Sequence, residues 1–458
     1  MKNILISTSL MLTTGVSLAM SEQDFIDRLT QVHPFFSQLE NTKAIAKIDR
    51  QASTANQDWV LSATSTYKEE DYGEIATSSY TDLDTASIDL SAKKQLVDSG
   101  ASLTLAHNWK EKSQSLNNHR NKFSIDYSYP LLKDAGGIND RLATDLAELD
   151  VDISQIEALE NYENFVLGYW KKFIELAYLQ AQYAINQERV TLAKKELELT
   201  EEKFKASVVD KVDMLNQKDA YQRAKTQALQ AQQELTLQRY ELALALDLPA
   251  DKIDAELDLY QHFQTGETDL LTYLGKQARA VKISELNQSK LKRQLASQQN
   301  QSLADLDLNL GLASEGEHAD YDHALEHQGT SYSLGLTLSY PLGTTQATSA
   351  VQKTQWQLKN ASDAREQTLL ELHTSAKLNL EKINLLAEML GLSKVQMQIA
   401  KDRTLEEQKR YADGNSKASV VISAQDNEMS AKLNYAKSAK NYQQAVLDYQ
   451  ASIDTLVQ

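Results

Sequence analysis

The sequence predicts a mainly α-helical protein with a β-barrel part, built from two tandem repeats of strands followed by long helices. Proline and glycine are scarce, with 4 and 15 of them among 458 residues, which is about a third of their average usage. Six segments alternate between apolar and polar residues, and related motifs recur in both halves of the chain. Since few residues can break a helix or start a turn, we expect few and long elements.

The start of the chain has the pattern of an export signal. Lys2 supplies a positive charge, residues 4–16 form an apolar run, and Ser17-Leu18-Ala19 offers a cleavage site of small residues. We therefore expect a signal peptide at 1–19 and a mature chain that begins near Met20. The apolar run is shorter than the roughly 20 residues of a membrane-spanning helix, and no cysteine follows it as a lipid anchor would require.

Composition limits the partners and the means of stabilisation. The chain has no cysteine, so packing and assembly must stabilise the exported protein instead of disulfides. Its formal net charge is −17, and an acidic surface repels nucleic acid and anionic headgroups. Nucleic acid is therefore not an expected partner. An acidic total suits the wall of a cation-favouring pore, although it is also ordinary for exported soluble proteins.

Related copies of the same motifs indicate an internal duplication. The Tyr-Pro-Leu sequence at 129–131 recurs at 340–342, and residues 204–219 align without gaps on 411–426. Matching residues before the strands are 247 positions apart and the Tyr-Pro-Leu motifs 211 apart, so the first half has 36 more residues among its strands. This excess corresponds to one extra hairpin, 85–109, and the sequence leaves open whether that hairpin joins the barrel.

We expect the two repeats at 20–249 and 250–458. The first contains an early helix, strands within 59–131, and long helices at 139–205 and 212–248. The second contains an early helix at 267–300, strands at 305–313 and 331–341, and long helices at 347–409 and 419–456.

The strand segments have the features of strands that face lipid. In 305–313, leucines alternate with polar residues, so that one face is apolar and the other polar. Their predicted lengths of about 9 to 11 residues suit tilted strands that cross a bilayer. Aromatic residues at the strand ends resemble the interfacial girdles of such barrels: Trp59, Tyr67, Trp109, Tyr129, Tyr332 and Tyr340.

One chain has too few strands to close a barrel in lipid, where unpaired backbone groups are costly. Several copies must therefore pool their strands. A soluble sandwich also has alternating strands and is the alternative at this point.

The long helices show apolar residues at every third and fourth position, and 139–205 would extend for about 100 Å at 1.5 Å per residue. Alanines throughout these segments would permit close packing of neighbouring helices. The helix pairs reverse direction at 206–210 and 413–417. An ordinary periplasmic coiled coil is the alternative.

The two Tyr-Pro-Leu strand ends, and Tyr411-Ala412-Asp413-Gly414 followed by Val420-Val421-Ile422, resemble the TolC family of outer-membrane channels. The resemblance implies a homotrimer in which an outer-membrane β-barrel continues into a periplasmic α-helical barrel. It further implies passive export in a tripartite efflux pump or type I secretion system. The expected partners are outer-membrane lipid, a periplasmic adaptor (membrane fusion) protein and an inner-membrane transporter.

The resemblance also implies a gate at the periplasmic helix tips, with Gly414 in the second turn. Where family members have aspartate rings, this chain has Val420 and Ser423, so that part of the gate departs from the family. Asp213 matches a family acid that hydrogen-bonds to the tyrosine of the second repeat, here Tyr411. We therefore predict an Asp213–Tyr411 latch that holds the closed state, with two solvated helix ends as the alternative.

Other signals favour simpler interpretations. His318, His323 and His327 lie in an acidic segment, but the sequence does not fix their geometry, so a solvated loop is preferred and no metal or cofactor is expected. Phosphate-binding, metalloprotease and nucleophile-elbow motifs are missing, and an enzyme is not expected. The alternative functions are a soluble periplasmic or surface coiled-coil scaffold with a β head, and an export adaptor. The exported substrate is not predicted.

Overall fold

The computed structural model describes residues 19–71, 82–113, 118–264 and 269–457. The predicted signal peptide, 1–19, lies outside these ranges apart from Ala19. In the described ranges, no helix combines the length and the hydropathy needed to cross a bilayer. The predicted fold class is confirmed: the described residues form long helices and one antiparallel six-stranded sheet.

The helices are α1 Glu22–Val32, α2 Pro34–Ala52, α3 Leu142–Lys205, α4 Lys211–Leu246, α5 Leu270–Gln277, α6 Arg279–Gln301, α7 Tyr321–Glu326, α8 Thr345–Ala412 and α9 Ala418–Ser452. The strands are β1 Val60–Asp71, β2 Asp82–Leu96, β3 Ala101–Ser113, β4 Asn118–Pro130, β5 Asp305–His318 and β6 Gly329–Ser339. The longest helices, α3 and α8, have 64 and 68 residues.

The chain forms two compact units. Unit 1 consists of residues up to 40 together with 158–279 and 369–458, and unit 2 consists of 41–157 and 280–368. Each unit takes residues from both halves of the sequence. The compact units therefore do not follow the predicted repeats, 20–249 and 250–458, which remain a prediction about the sequence.

Unit 2 contains the sheet, in which the strands lie in chain order from β1 to β6. The extra hairpin of the first half is formed by β2 and β3, which pair with β1 on one side and β4 on the other. It is therefore an integral part of the sheet. Its tight turn depends on Gly100, which has a φ of +77° and whose missing Cβ would lie 2.3 Å from the carbonyl oxygen of Asp134.

Five of the six strands, β1 to β5, are longer than the expected 9 to 11 residues. The longest, β2, has 15 residues, and β5 continues five residues beyond the predicted 305–313 to His318. The residues added to β5 are mostly polar. Ladder hydrogen bonds join main-chain groups whatever the side chain, so the end of the apolar alternation does not mark the end of a strand.

The early helix predicted at 267–300 is two helices, α5 and α6. Ala278 between them has an extended backbone, with φ −59° and ψ 128°. The amide of Arg279 donates to the carboxylate of Asp454 at 2.6 Å. A side chain distant in sequence thus caps the start of α6, which the local pattern did not reveal.

Unit 1 is held by aromatic and aliphatic side chains together with alanine-lined helix faces. Phe25 of α1 stacks on Phe173 of α3 with ring centroids 4.7 Å apart. Both rings belong to a buried cluster that includes Leu242 and Leu246 of α4. Further along α4, the buried Ala224 and Ala228 lie four residues apart on one face. Small side chains at this spacing allow a neighbouring helix to approach closely.

Arg279 is the centre of a buried ion-pair network in unit 1. Its guanidinium contacts Glu163 at 2.7 Å, Glu160 at 2.9 Å and Asp454 at 3.2 Å. The side chain of Glu163 is only 3% exposed. Burial raises the pKa of Glu163, and the hydrogen bond from Arg279 opposes this shift.

We predict that Arg279→Met destabilises the fold by about 3 kcal/mol, because it leaves the buried carboxylate of Glu163 without a positively charged partner. A carboxyl with a raised pKa costs stability above that pKa, and the cost disappears once the group is protonated. The deficit should therefore shrink as the pH falls. Unfolding followed by far-UV circular dichroism at several pH values measures it.

The matched control is Arg279→Met combined with Glu163→Gln, which removes both charges. This double variant should recover much of the lost stability at neutral pH. Equal stability losses in the single and double variants would contradict this account.

Candidate functional site

One face of the sheet in unit 2 carries an apolar band that nothing within the described chain covers. Ladder partners place a row of mostly apolar side chains across all six strands: Leu61, Ala92, Leu105, Ile125, Leu312 and Tyr332. On β6, Leu336 is 68% exposed. The part of the band on β1 to β5 lines an open hollow of about 700 Å³. A contiguous apolar face of this kind indicates contact with a partner or with lipid.

The opposite face of the sheet is polar. Arg120 and Glu315 form an ion pair at 2.6 Å, and Asn309 donates to the hydroxyl of Thr337 at 3.0 Å. Asn108 also donates to Asp89 on this face. The two faces thus have the chemical separation that the alternating sequence predicts.

The aromatic residues at the strand ends lie in two rows. When each residue is traced through its ladder partners onto β5, Tyr67, Trp109 and Tyr332 reach positions 318, 316 and 312. Tyr129 pairs with position 308 on β5. Trp59 and Tyr340 each lie one residue beyond the paired ladder, and continuing the register by one residue brings them to positions 310 and 304. In each row, the position reached on β5 is six residues lower for the aromatic of β6 than for the aromatic at β1. The two rows therefore run parallel to each other.

The slope of these rows gives the strand tilt that would bring each row to one level. Six residues over five strand steps, at about 3.3 Å per residue and 4.8 Å per strand, correspond to a tilt of about 40°. Strands of membrane barrels tilt by about 35–45°. The rows are eight residues apart along β1 and β6, or about 26 Å along a strand. The aromatic positions therefore have the geometry of two interfacial girdles.

The sheet is open at both edges in the single chain. In the described part of the chain, β1 pairs with β2 alone and β6 with β5 alone, so no neighbouring strand lies along the outer edge of either. Edges of this length are templates for pairing with another strand.

The second candidate site, in unit 1, consists of the two turns between long helices. Gly414 follows α8 with a φ of +77°. Its amide donates to the main-chain carbonyl of Tyr411, and the amide of Asn415 donates to the main-chain carbonyl of Arg410. Ser207 follows α3 with a φ of +58° and makes the equivalent bonds through its own amide and that of Val208. Both turns are Schellman motifs, in which a left-handed residue satisfies the last carbonyl groups of a helix.

Tyr411 is the buried residue at the second turn, with 6% exposure, and it packs against Ala418 and Val421. Its hydroxyl lies 3.5 Å from the hydroxyl of Thr200. The ammonium of Lys203 lies 4.3 Å from the centre of its ring. The tyrosine is therefore held by residues of α3 as well as α9.

The remaining predicted gate residues lie around this cluster. Asp213, in the first turn of α4, is half-buried and forms no hydrogen bond with Tyr411 within the described chain. Val420 and Ser423 lie on the exposed side of α9. The Asp213–Tyr411 latch remains a prediction.

Sequence reasoning missed Thr200, Lys203 and Ser207 at the tip. The role of Ser207 could have been predicted, because the gapless alignment of 204–219 on 411–426 places it opposite Gly414. Thr200 and Lys203 gave no signal, since their roles follow from helix packing.

No protein-family model and no curated protein sequence matches the chain. Solved structures do match in fold. The outer membrane protein VceC of Vibrio cholerae is 14% identical over 94% of this chain and 95% of its own, with a TM-score of 0.67. The CmeC outer membrane channel of Campylobacter jejuni is 12% identical over 95% and 86%, with a TM-score of 0.65. CusC is 9% identical over 97% and 95%, with a TM-score of 0.69.

The two Schellman turns permit a paired test of backbone strain. A Cβ added at Gly414 would meet no atom within 4 Å, so Gly414→Ala adds only the cost of a left-handed alanine, about 1–2 kcal/mol. Ser207→Gly removes the same kind of strain and should stabilise by up to about 1 kcal/mol. Thermal unfolding of both variants measures these effects, and shifts of the same sign would contradict the interpretation.

Proposed function

We propose that this chain is the outer-membrane channel subunit of a tripartite efflux pump or type I secretion system. In this role it is a passive export duct, and the inner-membrane transporter supplies the energy. The observation that carries the proposal is the open sheet, whose exposed apolar face is bounded by two parallel aromatic rows. The likeness in fold to structures described as outer membrane channels supports it.

Three copies would close the barrel. Six strands from each of three chains give eighteen, with β6 of one copy paired to β1 of the next. This arrangement satisfies the open edges and turns every apolar face towards acyl chains. The number of copies comes from the family resemblance, whereas the need for more than one copy comes from the open edges.

The helical segments would extend into the periplasm and form the tunnel. Their tips would contact a periplasmic adaptor protein, and together with it the inner-membrane transporter. The exposed Val420 and Ser423 belong to this proposed tip surface, and Gly414 shapes its turn. Because the second-repeat acids of the family are missing at Val420 and Ser423, we assign the closed state to contacts around Tyr411.

The alternative is a soluble periplasmic scaffold with a β head. It would have to leave the leucines of β6 in water, at a cost of about 25 cal/mol for each Å² of apolar surface that could be buried. Extraction separates the two functions, since a channel requires detergent and a scaffold is released by osmotic shock.

A pair of adjacent substitutions on β6 tests the membrane face. Leu336 lies midway between the two aromatic rows and Thr337 lies on the polar face. Leu336→Arg should cost about 2–4 kcal/mol in each chain in lipid and abolish insertion of the trimer. Thr337→Arg should be tolerated because it faces away from lipid. Membrane fractionation and native mass spectrometry in detergent measure both, and equal behaviour of the two variants would overturn the assigned face.

The latch is tested by single-channel conductance. If Asp213 accepts a hydrogen bond from Tyr411 in the closed trimer, Tyr411→Phe and Asp213→Ala should both raise the conductance. Thr200→Val is the matched control, since it removes only the contact with Thr200 seen within one chain. A current unchanged in Tyr411→Phe contradicts the latch. An increase limited to Thr200→Val and Tyr411→Phe assigns the closed state to the Thr200 contact instead.

A further inference from the structure

Four of the eight histidines in the chain meet around the β5–β6 connection in unit 2. His119 of β4 is the ladder partner of His318 at the end of β5. His323 lies in α7, and His327 is the residue that caps its end. The rings of His318 and His323 have centroids 4.9 Å apart, and those of His323 and His327 lie 5.8 Å apart.

Two of these histidines and one carboxylate lie close together. His323, Glu326 and His327 each direct one ligand atom into a group whose members all lie within 4.8 Å of one another. Glu326 follows His323 by three residues, one turn along α7, and His327 is the residue that ends the helix. Donor atoms about 2.1 Å from an ion lie roughly 3.4 Å apart in tetrahedral geometry. Exposed side chains can make this small adjustment.

The connection that carries these residues is anchored to the sheet. Ala324 in the middle of α7 is fully buried. It packs on Gly316 of β5, where an added Cβ would lie 2.0 Å from the carbonyl oxygen of Ala324. Beside it, the hydroxyl of Ser314 donates to the side-chain carbonyl of Gln328 at 2.7 Å. The two histidines and the glutamate are therefore presented from a fixed backbone, which the sequence did not indicate.

We propose that His323, Glu326 and His327 form a binding site for one divalent transition-metal ion of the zinc or copper class. Two imidazole nitrogens and one carboxylate oxygen are donors that suit these ions, whereas Mg²⁺ and Ca²⁺ prefer sites made of oxygen alone. The neighbouring Glu317, Asp320 and Asp322 add negative charge around the site. Water would complete the coordination, because all three ligands are exposed.

His318 is a neighbour of this site and not one of its ligands. The amide of Asp320 donates to Nδ1 of His318 at 3.1 Å, so the neutral ring carries its proton on Nε2. Binding of an ion through Nε2 would require the proton to move to Nδ1, with loss of that hydrogen bond. His318 thus provides a control residue of the same type in the same connection.

The site is independent of the proposed function, since it depends only on α7 and the ends of β4 and β5. The test uses the full chain, purified in detergent without a polyhistidine tag and stripped with a chelator. Isothermal titration calorimetry with ZnCl₂ should show one ion bound per chain, and MgCl₂ should show no binding. Because imidazole must be neutral to bind a metal, the affinity should fall as the pH is lowered.

His323→Ala and His327→Ala should each weaken zinc binding by at least about tenfold, the lower end of the loss found when even supporting groups of a site are removed. His318→Ala should leave the affinity within a factor of about two. With Cu²⁺, the electron paramagnetic resonance spectrum of the unsubstituted protein should report two nitrogen ligands. Thermal unfolding in the absence of metal checks that each variant is folded.

Three results would overturn the site. The first is zinc binding that survives when His323→Ala and His327→Ala are combined. The second is an equal loss in His318→Ala, which would place the ion elsewhere among the histidines. The third is a folded, unsubstituted protein that binds less than one ion per chain.

Discussion

The two open edges of the sheet are the constraint on which the rest of this structure depends. Within the described residues, no strand lies along the outer edge of β1 or of β6, and the sheet between them exposes an apolar face. Water can hydrate the edges but not the leucines, and lipid can solvate the leucines but not the edges. A ring of copies in a bilayer satisfies both requirements, which is why assembly and membrane insertion are parts of one proposal.

The extra hairpin changes the number of strands in that ring but not the way in which the copies would pair. β2 and β3 pair on both sides, so their insertion moves β1 away from β4 and leaves the edges where they were. Three copies of this chain would supply eighteen strands, whereas three copies without β2 and β3 would supply twelve. Barrel diameter grows about linearly with strand number, so the proposed pore is wider. The parallel aromatic rows show that the added strands continue the tilt of the others.

The two helix turns of unit 1 show how a duplicated motif can keep its geometry while its residues change. Both turns use a left-handed residue to close the preceding helix, but glycine does so at 414 and serine at 207. Packing differs more, because Tyr411 is buried against α3 and α9. Opening the tip at this turn would require Tyr411 to leave the hydroxyl of Thr200 and the ammonium of Lys203. The contacts that hold Tyr411 therefore involve a few buried or half-buried side chains close to this turn.

The sequence by itself determined the fold class, the apolar face of each strand and the aromatic positions at the strand ends. These features follow from the spacing of apolar residues. A spacing of two residues in a strand or 3.6 in a helix can be recognised from residues that are close together in the sequence. Only the tertiary structure decided where β5 ends, where the extra hairpin lies and why α5 and α6 are separate. Ladder bonds do not depend on side-chain polarity, and the amide of Arg279 is capped by Asp454, 175 residues away. The type and spacing of the histidines in and after α7 can likewise be read from the sequence. The backbone that presents them is fixed by packing on Gly316 of β5, which belongs to a separate element.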